Sequence, residues 1–249
     1  MVNYFRAYDG VYAIVLTGSM ARAKAVEGSC IDLCIFLDSK QFNALSSEPA
    51  LHSRIKAYSQ LKGEICYYEG KVEGGIIIEG IRVDIGFTNA QFNPKSQNSF
   101  DITRDEFETT IGNLFTYSVV LYEKDEQYQQ QKKKYMPFYN NKLRNVRLEG
   151  TREEFGYKIW KTRWLAERDE YLASLGALLE AQRILLQHVF IKAKKYPIDY
   201  TKWVKEQCFK ILHMPDLYQD IMSIISGLEL TKEGLNEKAN NLEQLILRY

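Results

Sequence analysis

Apolar residues cluster in two different ways along this chain. In the first half they form short runs. Val11–Leu16 is apolar throughout, and Ile31–Leu37 is broken only by Asp32. Runs of this length, without alternation, predict strands buried on both faces. Ser19–Ala25 between them reads as a short helix, and Glu27-Gly28-Ser29 as the turn that follows. Glu48–Leu61, with Pro49 near its start, predicts a helix crossing the sheet. Ile65–Glu69, Gly75–Glu79 and Ile81–Phe87 are further strands, the last two joined by a tight turn at Glu79-Gly80. Asp105–Leu114 reads as a short helix and Tyr117–Tyr122 as a last strand.

Beyond Glu126 the period changes from runs to helical spacing. Glu167–Lys194 predicts a long amphipathic helix, with Leu172, Leu175, Leu179, Leu186 and Phe190 on its apolar stripe and Ala173, Gly176 and Ala177 permitting close packing. Tyr196-Pro197 ends it. Tyr200–Leu212 follows, with Asp199 or Thr201 as cap and Trp203 on the apolar side. Pro215–Ile225 is next, and a helix capped by Thr231 closes the chain, with Leu235, Ala239, Leu242 and Ile246 on one stripe. The pattern predicts an α+β protein: a sheet with helices over residues 1–125, then a helical bundle over 126–249.

Composition narrows the function classes. A net charge of +1 argues against a general basic coat for long nucleic acid. Cys30, Cys34, Cys66 and Cys208 lack C-x-x-C spacing, so no zinc or redox motif is formed, and reduced thiols in the cytoplasm are expected. No run approaches the roughly 18 apolar residues of a membrane span, and no signal peptide is expected. His188 and His213 stand alone and read as structural. One tract is locally basic. Gln131 to Arg163 holds ten basic residues against three acidic ones, with Tyr135, Phe138, Tyr139, Tyr157 and Trp160 interleaved. It reads as a solvated helix surface or, in the functional alternative, as a grip on RNA.

The chemistry concentrates in Val15-Leu16-Thr17-Gly18-Ser19-Met20-Ala21-Arg22 and Cys30-Ile31-Asp32-Leu33. Gly18 allows close approach of a ligand to the backbone, and the turn at Ser19 leaves N–H groups free for phosphate oxygens. Asp32 points to the strand face opposite Ile31 and Leu33. Asp84, inside Ile81-Arg82-Val83-Asp84-Ile85, is a second carboxylate on a strand.

These blocks resemble the nucleotidyltransferase superfamily that includes DNA polymerase beta and, closer to this chain, the aminoglycoside-type enzymes acting on small molecules. Gly18-Ser19-Met20-Ala21-Arg22-Ala23 matches the family's Gly-Ser turn, with Ala23 in place of a glycine. Ser29-Cys30-Ile31-Asp32-Leu33 matches the strand carrying the Asp-x-Asp pair, with Cys30 in place of the first Asp. Asp84 matches the third carboxylate. The resemblance implies a nucleotidyltransferase-type mixed sheet with flanking helices, followed by a C-terminal helical bundle that binds the acceptor in the cleft between the two parts.

It also implies transfer of a nucleoside monophosphate from a triphosphate, ATP among the candidates, to a hydroxyl of a small acceptor. Gly18, Ser19 and Arg22 would bind the nucleotide. Asp32 and Asp84 would be the catalytic and metal-holding residues for magnesium. Cys30 departs from the pattern, because a thiol is a poor ligand for magnesium, and the two-metal site is thereby impaired. Three readings stay open: a weakened transferase, a nucleotide-binding sensor or protein partner without catalysis, and an RNA-binding protein.

Overall fold

The computed structural model describes residues 1–45, 64–69 and 73–249. The helix expected over Glu48–Leu61 lies outside the described residues. The chain divides into two compact units: Met1–Phe92 with Ile111–Pro137, and Asn93–Thr110 with Phe138–Tyr249.

The first unit is built on a six-stranded mixed sheet. Its strands are β1 (Val11–Thr17), β2 (Ile31–Leu37), β3 (Glu64–Glu69), β4 (Glu73–Ile78), β5 (Ile81–Thr88) and β6 (Val119–Glu123). Their spatial order is β3-β4-β5-β2-β1-β6. β2 and β5 form the one parallel pair among the described strands; every other pairing is antiparallel. The two uninterrupted apolar runs, β1 and β2, take central positions, as their lack of alternation requires. Val11–Val15 and Leu33–Leu37 are buried, and Val11, Ile14, Leu33, Ile35 and Leu37 share one core cluster with Ile76, Val83, Ile85 and Phe87. The β4–β5 hairpin closes at Glu79 (φ 53) and Gly80 (φ 80), the pair of left-handed residues that a tight two-residue turn needs.

Short helices flank the sheet: α1 (Val2–Phe5), α2 (Gly18–Ala21) and α3 (Ser39–Leu45). The helix expected over Ser19–Ala25 is thus a single turn, because Ala23 turns left-handed at φ 54 and ends it. Phe5 packs edge-on against Phe87 and joins the same core.

The second unit is helical. It contains α4 (Ser99–Arg104), α5 (Phe107–Ile111, whose last residue already belongs to the first unit), α7 (Asn141–Ala166), α8 (Tyr171–Ala193), α9 (Val204–Glu206), α10 (Pro215–Ile225) and α11 (Lys232–Arg248). The first unit holds α6 (Gln127–Tyr135). The helix expected over Asp105–Leu114 begins at Phe107, where Asp105 Oδ1 accepts from the Phe107 N–H, and passes into a π turn at Gly112–Thr116. α7 and α8 carry the core together with α10 and α11; Phe155, Ile159, Leu178, Ile184, Leu185, Leu217, Ile221, Leu235 and Leu242 are all buried in one cluster.

The expected stripe of α8 holds at Leu186 and Phe190, both fully buried, and at Leu175, which packs against the core, and is corrected at its other two positions. Leu172 and Leu179 are exposed, while Ser174, Ala177, Leu178, Ala181 and Leu185 face the core. Gly176 has open space where a Cβ would sit. The close approach falls instead to Gly150 of α7, where a Cβ would meet Ile102 Cδ1 at 2.6 Å. Trp203 does not lie on an apolar helix face. It precedes α9 in a left-handed conformation (φ 59) and is partly exposed. The caps of α10 and α11 fall as expected, with Pro215 at the first turn and Thr231 Oγ1 accepting from the Gly234 N–H at 3.1 Å.

Candidate functional site

β1 delivers the chain to the site and Gly18 turns it away. Gly18 has φ 66, and a Cβ there would run into the Asp32 carboxylate. Glycine is needed at this position for two reasons, conformation and space. The one-turn α2 that follows leaves its first N–H groups without helical partners. Ser19, half-buried, sits in that turn. Arg22 folds back, its Nη1 donating to the Gly18 carbonyl at 2.9 Å. Its guanidinium lies close enough to Asp32 to favour the charged carboxylate. Ala23 holds a left-handed conformation with a Cβ attached, which is strained for any residue but glycine.

Asp32 pairs with Thr17 on one side and Asp84 on the other. In a parallel ladder, residues in register point to the same face, so the two carboxylates stand side by side although 52 positions separate them in sequence. Cys30, just before β2, completes the group. Its Sγ donates to Asp32 Oδ1 at 3.6 Å. One ligand atom from each of Cys30, Asp32 and Asp84 lies within 4.8 Å of the others. A cavity of about 280 Å³ opens over the carboxylates, walled by Thr17, Leu33, Cys34, Gly86 and Leu114.

The electrostatics are those of a partly buried anionic site. Burial, followed by the neighbouring Asp84 charge, holds the Asp32 carboxyl above its ordinary pKa. Burial, followed by Asp32 and Asp84, also pushes the Cys30 thiol up, so the sulfur is held as a neutral thiol. Arg82 lies two positions before Asp84 on the same strand face, and its Nε donates to Asp84 Oδ1 at 2.8 Å. The Arg82 side chain is 53% exposed, so the pair adds little to stability, but it sets a positive charge at the mouth of the site.

All the residues singled out in the sequence therefore meet: Gly18, Ser19 and Arg22 at the bend, Cys30, Asp32 and Asp84 beside it. Arg82 was not singled out. Its signal is the i, i+2 spacing to Asp84 on a strand.

The basic tract comes apart in the fold. Arg147 is fully buried, with Nε and Nη2 donating to Glu108 and Nη1 to Asp105 Oδ2 and the Lys95 carbonyl. Arg144 donates to the carbonyls of Ile191 and Lys192, Arg163 pairs with Glu243, and Lys158 pairs with Glu154. His188 is buried, its Nδ1 2.8 Å from Thr151 Oγ1. Burial and the nearby Arg152 and Lys192 lower its pKa to about 4, so it is a neutral structural histidine. Among the described residues no helix is long and apolar enough to cross a membrane.

Comparison with known proteins agrees with this geometry. Residues 1–96, which include Gly18, Ser19, Arg22, Cys30, Asp32, Arg82 and Asp84, match the family model of the nucleotidyltransferase domain. No curated protein matches the chain. Among solved structures, the chain is similar to a nucleotidyltransferase-like protein from Exiguobacterium sibiricum 255-15, with a TM-score of 0.50 and 12% identity, covering 100% of this chain and 72% of the other. At that identity the likeness is one of fold. Residues 1–96 thus match a nucleotidyltransferase domain, and the metal-type triad within them is formed by Cys30, Asp32 and Asp84.

Proposed function

We propose that this protein binds a nucleoside triphosphate over the Gly18 bend and transfers its nucleoside monophosphate to a hydroxyl of a small-molecule acceptor, with a rate lowered by Cys30. The observation that carries the reading is the pairing of Asp32 with Asp84 on adjacent parallel strands, directly against Gly18. The free N–H groups at Gly18 and Ser19 hold the phosphate chain, and Arg22 and Arg82 supply positive charge to it. The acceptor oxygen bonds to the α-phosphorus as the bond to the bridging oxygen breaks, and pyrophosphate leaves. The proton of the acceptor hydroxyl passes to the Asp84 or Asp32 carboxylate. The raised pKa of Asp32 suits it to receive a proton. The helices from residue 126 onward supply acceptor recognition in this proposal.

The donor set fits a magnesium ion only in part. Asp32 and Asp84 offer hard oxygen ligands, which would hold a cation that neutralises phosphate charge, whereas the Cys30 thiol does not suit it. A second reading follows from Cys30 and from the Arg82–Asp84 pair together: the site keeps triphosphate affinity and lacks turnover, as a sensor or a partner of another protein.

One experiment separates the two. Each of the four nucleoside triphosphates is titrated by calorimetry, with magnesium or with manganese, while pyrophosphate release is followed in the presence of hydroxylated acceptors. Binding with release supports transfer. Binding without release, and release restored in Cys30→Asp, supports the sensor. Affinity unchanged in Asp32→Asn removes the site assignment altogether.

A further inference from the structure

The strands that carry the carboxylates lead at their other ends to a second cavity. Tyr12, Leu37 and Asn89 border it, each five positions from Thr17, Asp32 and Asp84 on or just beyond the same three strands. Five residues of strand span roughly 17 Å, so this cavity is separate from the nucleotide site. Its volume is about 460 Å³, within the range of small-molecule pockets.

Its wall is polar in a particular way. Gln127, Gln130 and Gln131 share one face of α6, and Asn89 faces them from the end of β5. Carboxamides both donate and accept. Asp38 and Asp125 add carboxylates, which only accept. No lysine or arginine is among the described residues that line the cavity, so it offers no countercharge to a phosphate. A ligand that suits this wall is rich in hydroxyl donors and carries no negative charge.

Two atoms point to an occupant. Tyr12 is only 5% exposed, yet its Oη has no hydrogen-bond partner among the described residues. Gln131 Oε1 is likewise buried and unpartnered. Buried polar atoms are nearly always hydrogen-bonded, and each one left unsatisfied is costly. Here a phenol that can donate and an amide oxygen that can only accept belong to two residues that line one cavity. A molecule with several hydroxyl groups would serve both.

We propose that this cavity is a second binding site, for a small uncharged polyhydroxylated molecule such as a monosaccharide or a polyol, and that Tyr12 and Gln131 are its principal contacts. The proposal does not depend on the transferase reading.

The test titrates the full chain by calorimetry and ligand-observed NMR with D-glucose, D-galactose, D-ribose, myo-inositol and sorbitol, with inorganic phosphate and putrescine as charged probes. At least one neutral probe is expected to bind. Tyr12→Phe and Gln131→Met, each checked for unchanged circular dichroism, are expected to weaken it by about tenfold, the equivalent of one lost hydrogen bond. Asp32→Asn is expected to leave it unchanged. The proposal falls if no neutral probe binds, if phosphate or putrescine binds in their place, or if both variants bind as the wild type does. It also falls if Asp32→Asn abolishes binding, or if crystals soaked in the probes hold only ordered water in the cavity.

Discussion

Two clusters in this molecule are assembled from the same parts, two carboxylates and an arginine, and they come to opposite ends. In the helical unit, Arg147, Glu108 and Asp105 close on themselves. Arg147 and Glu108 are completely buried, the guanidinium donates to both carboxylates and to the Lys95 carbonyl, and Tyr139 Oη donates to Glu108 Oε1 at 2.7 Å. Nothing is left over for a ligand. In the sheet unit, Asp32, Asp84 and Arg82 are partly exposed, the arginine donates to Asp84 Oδ1, and a cavity stands over the two carboxylates. A cluster whose hydrogen bonds are complete is architecture. A cluster held together by the fold, against its own repulsion, and open to a cavity is a site.

The contrast can be broken by exchanging each arginine for methionine. Arg147→Met leaves Glu108 buried without its partner, and unfolding by urea should show a loss of about 3–5 kcal/mol. Arg82→Met should cost at most about 1 kcal/mol, because the pair is exposed, while triphosphate affinity falls. Equal losses of stability from the two variants would erase the distinction.

Asp32 sharpens it from the side of pH. Its carboxyl has a folded pKa raised by burial and by Asp84, so the folded protein holds that proton more tightly than the unfolded chain does. Stability contributed by the group is then lost as pH rises through the raised value. Asp32→Asn should melt higher than the wild type at neutral pH, and the gain should vanish as pH falls to the ordinary carboxylate value of 3.8. A destabilised Asp32→Asn at neutral pH would mean that the carboxylate supports the fold. The smallest effect is expected at Ala23, where Ala23→Gly relieves the left-handed Cβ and should raise stability by about 0.5 kcal/mol in thermal melts.

Legibility in the sequence followed the range of each interaction. The bend at Gly18 and the strands β1, β2 and β5 could be read because their signals are local: an apolar run, a glycine, an acid between apolar neighbours. The meeting of Asp32 with Asp84 was legible only through resemblance, since no local rule says which strands pair. The core face of α8 departs from its expected stripe only in the first half, because the doublet Leu178-Leu179 fits two adjacent stripes equally well and packing buries Leu178, whereas Leu185, Leu186 and Phe190 are all buried. The burial of Arg147 was hidden, because its partners Asp105 and Glu108 lie about forty positions upstream, with counterparts near enough in sequence to read as surface charge. The second cavity was hidden for the same reason, being lined from strand ends and α6 at once.

The parallel ladder between β2 and β5 has one more consequence. Because Asp32 and Asp84 are neighbours through strand pairing, their spacing is set by the hydrogen-bond rungs and is indifferent to the amount of chain spliced between Leu37 and Ile81. Outside β4 and its buried Ile76, the length of that excursion could change over evolutionary time, or in the laboratory, without moving either acid. A slip of one rung would instead turn one acid away from the other, so the alignment of two strands acts as a lock that tolerates new cargo on its shackle but no shift of its teeth.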